Sequence, residues 1–205
     1  MKKVLMTLAL VAVAATSAFA QISVGAGYLA NKMSYSVTSG STTTTDVINL
    51  GGAYLGADYT FDLGQGLGIQ AGLKGEFLTG NYSWLTVDTK RTELYLAIPV
   101  QCVYSYQLGT DLKLFALAGP SFALGLSSKD KSTGGLTGTV TENDNYADGS
   151  KYGKTNLFLG AAAGVDVMNT IRIKFGYDIG LLDRHSADDT KINDAQWYVG
   201  VAYLF

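Results

Sequence analysis

The chain ends on Trp197-Tyr-Val-Gly-Val-Ala-Tyr-Leu-Phe205, and read with period two this segment has two unlike faces. One carries Trp197, Val199, Val201, Tyr203 and Phe205; the other carries Tyr198, Gly200, Ala202 and Leu204. Successive side chains of a strand point to opposite sides, so the segment shows a large apolar face with aromatic ends and a face of mostly small residues. Such a strand suits a bilayer-spanning β-barrel, where lipid replaces the ordinary core. Backbone groups in lipid must find partners within the protein, so this strand has to close against another.

The other end of the chain is read in the same terms. Lys2 and Lys3 precede an apolar run over 4–15, and Ser17-Ala-Phe-Ala20 offers an A-x-A cleavage site. This is the pattern of a secretory signal peptide over 1–20, which leaves a barrel domain over 21–205. No later run reaches the length of apolar sequence that a membrane helix requires. Twenty-five glycines, thirteen tyrosines and two prolines favour strands. The formal net charge of −2 gives no reason to expect nucleic acid as a partner. Cys102 is the single cysteine, so the chain forms no internal disulfide, and its place in an alternating run marks it as a small apolar residue facing lipid.

Turn-forming residues divide the remaining chain into eight alternating segments, approximately 22–35, 47–61, 67–82, 92–107, 112–127, 154–168, 171–183 and 195–205. The connections at 62–66, 108–111 and 169–170 are short. Those at 37–46, 83–91, 128–153 and 184–194 are longer and more polar. Short turns at one end and long loops at the other predict an all-β fold, an eight-stranded antiparallel up-and-down transmembrane β-barrel with both termini in the periplasm. The segment over 171–183 alternates most cleanly, with Ile171, Ile173, Phe175, Tyr177, Ile179 and Leu181 opposite Arg172, Lys174, Gly176, Asp178 and Gly180. The segment over 22–35 is less regular, since Lys32 and Ser34 fall on its apolar face.

Three segments running toward the short-turn end finish in outward aromatic pairs, Tyr59/Phe61, Tyr104/Tyr106 and Tyr203/Phe205. Amphipathic rings favour the headgroup level, so these pairs read as one half of an aromatic girdle, with Trp197 farther up the last strand. A soluble barrel would show the same period turned inside out. Its solvated face would be rich in Lys, Glu and Thr, whereas the second face here is mostly Gly, Ala, Ser, Gln and aromatics.

That second face carries the basic residues Lys74, Lys113, Arg172 and Lys174 and the acidic residues Asp58, Glu76, Asp166 and Asp178. Eight strands leave an interior just wide enough for side chains to fill. Charges confined there must pair, because an unpaired buried ion is costly. The expectation is an ion-pair and hydrogen-bond network that plugs the lumen. The same residues would line an open pore only if the lumen were wider.

Chemistry of other kinds finds little footing. His185, the single histidine, directly precedes Ser186, and neighbours on a strand point apart, so the two are poorly placed to transfer a proton. Glu142-Asn-Asp-Asn-Tyr-Ala-Asp-Gly149 is acidic, but Tyr146 stands where a calcium loop needs an oxygen ligand. It reads as a solvated loop, and the Ser41-Thr-Thr-Thr-Thr-Asp46 run as a mobile one. No metal, cofactor or catalytic residue is expected.

Several motifs together resemble the porin-like outer-membrane β-barrel family common in Bacteroidota. They are Tyr95-Leu-Ala-Ile-Pro-Val-Gln101, Phe115-Ala-Leu-Ala-Gly-Pro120, Leu159-Gly-Ala-Ala-Ala-Gly-Val-Asp166, Phe175-Gly-Tyr-Asp-Ile-Gly-Leu181 and the terminal Tyr203-Leu-Phe205. Many members carry an acidic residue before the Ile-Pro pair, where this chain has Ala97. The resemblance implies a Gram-negative outer-membrane location and insertion by the barrel-assembly machinery, for which the terminal aromatic strand resembles the recognition signal. It brings no catalytic residues. The expected protein is a non-enzymatic monomer in contact with outer-membrane lipids, structural or interactive through its surface loops, above all 128–153. The alternatives are a narrow channel for ions or small solutes and a lipid-modifying enzyme.

Overall fold

A computed structural model describes residues 20–84, 87–134, 139–185 and 189–205. Nearly all of the expected signal peptide, and Ser186, lie outside the described residues. The strands are β1 (Ala20–Ser39), β2 (Thr42–Gly64), β3 (Leu67–Trp84), β4 (Val87–Gln107), β5 (Leu112–Gly134), β6 (Thr139–Asp144), β7 (Thr155–Val167), β8 (Ile171–Gly180) and β9 (Thr190–Leu204). Each pairs antiparallel with its neighbour in the ring β1–β2–β3–β4–β5–β7–β8–β9, and β9 returns to β1 from Ser23↔Leu204 to Val37↔Thr190. The ring therefore has eight strands and no open edge within the bilayer. β6 stands outside it, paired to the outer part of β5.

Alternation sorts the side chains as the period-two reading requires. On β8, Ile171, Ile173, Phe175, Tyr177 and Ile179 are exposed on the outer wall, while Arg172, Lys174, Gly176, Asp178 and Gly180 are buried inside. Leu55, Phe77, Ile98, Phe122, Leu159 and Val201 extend the same apolar wall around the ring. A patch of this extent has no place in water and matches a hydrocarbon surround. Tyr104, Tyr106, Tyr203, Phe205 and Phe61 lie outward near the short-turn end, and Tyr203 and Phe205 meet edge-on with centroids 4.7 Å apart. Trp197 packs beside Tyr28 at 5.5 Å, higher on the wall. Cys102 is exposed on the apolar side.

The long loops differ from expectation, because most of their length continues the ladder. The β1–β2 pairing runs on to Ser39↔Thr42, and the hairpin turns at Gly40 with φ 60°. Ser36 and Thr45 share a hydroxyl hydrogen bond of 2.9 Å, as do Thr38 and Thr43 at 3.1 Å. The threonine run expected to be mobile is thus strand, consistent with the β-preference of threonine. β3 and β4 likewise pair up to Trp84↔Val87, and β5 continues to Gly134. Water does not end a hairpin: beyond the lipid, cross-strand bonds and Thr/Ser pairs still stabilise it.

One short turn is also displaced by a residue. β7 stops at Val167, and Met168 and Asn169 hold φ values of 53° and 52°. Two consecutive positive φ values make a type I′ turn, whose twist matches the flanking strands.

The lumen is packed, and not by small residues alone. Leu29, Met33, Leu50, Leu78, Val103 and Leu117 point inward and form an apolar cluster with Tyr54, Tyr95, Phe115 and Tyr198. Glycine makes the room for such large groups in so narrow a barrel. At Gly200 a Cβ would collide with the Tyr54 hydroxyl, so only glycine leaves that ring its place.

Candidate functional site

Between these apolar groups the inward charges stand in tiers along the barrel axis. At the short-turn end, the Arg172 guanidinium donates to both oxygens of Asp166, Nε to Oδ1 at 2.7 Å and Nη2 to Oδ2 at 2.9 Å. Lys113 Nζ lies 3.2 Å from the same carboxylate, and Arg172 Nη1 donates to Gln70 Oε1 at 3.1 Å. Asp166 and Arg172 face each other across β7 and β8, which sets the fork-to-carboxylate geometry. Phe115 stacks under the guanidinium at 4.3 Å.

The next tier joins Lys174 to Asp58 at 3.2 Å and Lys74 to Glu76 at 3.1 Å. Lys74 Nζ also sits 5.7 Å and 5.1 Å from the ring centroids of Tyr54 and Tyr198, which meet edge-to-face. Asp178 accepts from Gln196 Nε2 at 3.1 Å. The residues Asp58, Lys74, Glu76, Lys113, Asp166, Arg172, Lys174 and Asp178 thus come together in one lumen, each within reach of an oppositely charged or amide partner.

A further, outer tier was not foreseen from sequence. Glu93 is 1% exposed and accepts hydrogen bonds from Tyr95 at 2.6 Å, Tyr152 at 2.8 Å and Ser128 at 2.9 Å. Arg184, placed in a polar loop by the sequence reading, is 3% exposed and donates from Nη1 to Asp194 Oδ2 at 2.9 Å. Asn156 donates to the same oxygen at 2.9 Å. Above them Arg91 forks onto Asp130, Nε at 2.7 Å and Nη2 at 2.6 Å. Part of the signal was present in the sequence. The alternation of 92–107 puts Glu93 inside and, carried back to 91, Arg91 as well. In β5 the register shifts opposite Leu94/Tyr95, so the inward set passes from odd positions to Ser128 and Asp130, which unbroken alternation would have turned outward.

The third long loop supplies the lid of this tier. Tyr146 and Tyr152 stack with centroids 5.8 Å apart, and Arg184 lies 4.5 Å over the Tyr152 ring. A Cβ on Gly125 would strike the Tyr146 hydroxyl, so the loop seats its ring where the barrel wall has no side chain. Gly125 N donates to Lys154 O at 2.6 Å, and Gly153 N to Arg184 O at 2.7 Å, which closes the connection onto the wall. The 142–149 stretch, expected to be solvated throughout, is anchored by Tyr146. Its Asp144 carboxylate accepts from Tyr146 N at 2.9 Å, an Asx turn rather than a cation site. Burial, and after it the Glu93 carboxylate, push the Tyr152 phenol well above its ordinary range. It stays protonated and donating.

Among the described residues, two large cavities open at the ends of the barrel. A cavity of about 630 Å³ opens at the short-turn end beside Lys113 and Arg172. Another, of about 430 Å³, opens at the outer end above Arg91 and Tyr152. Between them, among Glu76, Tyr95, Arg184 and Gln196, the void is about 10 Å³. That holds at most one water.

Comparison with known proteins agrees with this architecture. OprG, an outer membrane protein from Pseudomonas aeruginosa, superposes with a TM-score of 0.50 at 11% identity, over 91% of this chain and 96% of that one. Ail, the attachment invasion locus protein of Yersinia pestis, gives a TM-score of 0.48 at 16% identity, over 91% and 99% of the two chains. The surface protein NspA of Neisseria gives 0.35 at 13%, over 87% and 96%. At such identities the likeness concerns the fold alone. Curated protein sequences give no match. The family described as the outer membrane protein beta-barrel domain matches residues 6–205. Its span over nearly the whole sequence, together with the closed eight-stranded ring, makes this chain a member of that outer-membrane β-barrel family.

Proposed function

We propose that the protein is a non-conducting, non-enzymatic barrel that works through its outer end, with the interior charges serving as a plug. The observation that carries this reading is the packed middle of the lumen, where the void shrinks to about 10 Å³ between two wider vestibules. Opening it would require parting Arg184 from Asp194 and Lys74 from Glu76, which are buried pairs. Separating such pairs leaves uncompensated ions, at a cost of about 3–5 kcal/mol each. The barrel is then a rigid support for its outer hairpins, inserted by the barrel-assembly machinery, bathed in outer-membrane lipid and monomeric. Its short turns and both termini face the periplasm, and export depends on residues 1–20. Relatives of this kind are common in Bacteroidota. His185 N donates to Asp183 Oδ1 at 3.0 Å, a local turn contact.

Single-channel recording of the refolded chain lacking residues 1–20, in a planar bilayer, tests the reading. Folding is verified by the heat-dependent gel shift of an intact barrel. A silent bilayer is expected; steady discrete openings would overturn the plug. The two vestibules favour a second reading, a narrow channel gated at its middle. In that case charge swaps at Lys74, Glu76, Arg172 and Asp178 change ion selectivity.

A further inference from the structure

The outer vestibule is a blind cup whose walls and floor differ in chemistry. Tyr35, Tyr82, Tyr152, Ile48 and Ile192 give it aromatic and aliphatic walls around about 430 Å³. At its base Arg91 lies 5.6 Å from the ring centroids of both Tyr82 and Tyr152. Two of its nitrogens are committed to Asp130, but Nη1 meets Met33 Sδ at 3.2 Å, a weak acceptor. His185 Nδ1 is buried and has no hydrogen-bond partner among the described residues. Lys151 and Asp46 also border the cup. Below the floor, the Tyr152–Glu93 bond and the filled lumen close the way down.

A concave, mainly apolar site of a few hundred Å³ with a few convergent polar groups is the usual form of a small-molecule site. A buried donor without a strong acceptor gains most from a ligand that supplies one. The rings suit a flat apolar body, and Arg91 Nη1 with the Lys151 charge suits a carboxylate. Asp46 disfavours a second negative charge by repulsion. We infer that the outer cup of this barrel binds a small aromatic monocarboxylate, its ring against Tyr82 and Tyr152 and its carboxylate toward Arg91 and Lys151. The inference rests on the reading of the outer end as the working part of the molecule and gives it a ligand class.

Saturation-transfer NMR on the chain lacking residues 1–20, in lipid nanodiscs, tests it with indole-3-acetate as probe, neutral indole and glucose as comparisons, and empty nanodiscs as blank. Transfer to the indole-3-acetate ring protons is expected above the blank. It should be lost in Ile48→Trp, which fills the cup, and weakened in Lys151→Gln. It should persist in Gln107→Trp, at the opposite vestibule. Ser150→Trp, on the exposed rim, replaces Ile48→Trp if that variant lacks the gel shift of a folded barrel. Three results overturn the inference: no transfer above the blank, equal transfer with the cup filled, or indole or glucose matching the acid. Conductance decides the other reading separately. A silent barrel without transfer loses only the ligand, whereas discrete openings remove the plug whatever the probe does.

Discussion

Asp166 shows how one buried carboxylate organises its surroundings, since it is fully buried and holds both Arg172 and Lys113. Asp166→Ala strips the partner from two cations, and a loss of about 3–5 kcal/mol is expected in urea unfolding of the detergent-solubilised barrel. Replacing the Lys74–Glu76 pair together by Met and Leu is expected to change stability far less, because both desolvation costs leave with the pair. Tyr152 illustrates a buried acid held in its neutral form. Its phenol titrates above the ordinary value of about 10, so folding favours the protonated form. The contribution is fully present below the unfolded value and is lost as pH rises toward the folded one. The unfolding midpoint should therefore hold level to about pH 10 and fall above it, and Tyr152→Phe should flatten that fall. The same variant loses a hydrogen bond to a carboxylate, about 1.5–3 kcal/mol at neutral pH. Of these residues Asp166 and Lys74 were legible in the sequence, because they stand within regularly alternating strands on the minority face. Tyr152 was not, because a loop residue has no period to place it.

Elements differ in how firmly their neighbours define them. β8, short and strictly alternating, is set by lipid on one side and charges on the other. The ladder extensions beyond the membrane have water on the outside, so apolar alternation fades there and the expected strands stopped early. The third connection is held by local fit: Tyr146 occupies the gap at Gly125. Gly125→Val should expel that ring and loosen the segment over 145–153, read as faster cleavage there by an added protease with the gel shift of the barrel intact. At the other end, Met168 sits at positive φ in a type I′ turn. Met168→Asn, which tolerates that backbone, should raise stability by up to about 1 kcal/mol in the same urea assay.

For the whole molecule the solvent is lipid, and the wall decides the outcome. Phe175 is 57% exposed in the middle of the apolar band of β8. Phe175→Arg should cost about 2–4 kcal/mol of folding stability in bilayers, whereas a charge outside the band should cost about 1 or less. Ring closure ties every strand of the ring to two others in it, and Phe205 N donates to Ile22 O at 2.9 Å where the two ends of the described chain meet. The closed ring also confines the interior: with eight strands there is little space left once side chains are in place.

Period two, glycine content and the rhythm of short and long connections were enough to read the class of fold, its eight-stranded ring and the two faces of most strands. Those are local properties: each strand reports its own environment through its own alternation. Which charges meet was not local. Arg91 and Asp130, or Arg184 and Asp194, are neighbours only once the ladder registers and the returning loop are set. The filling of the lumen by leucines, the seat of Tyr146 in the wall and the blind outer cup belong to the same order of fact. They depend on distances across the barrel, which a single strand does not encode and closure of the ring alone decides.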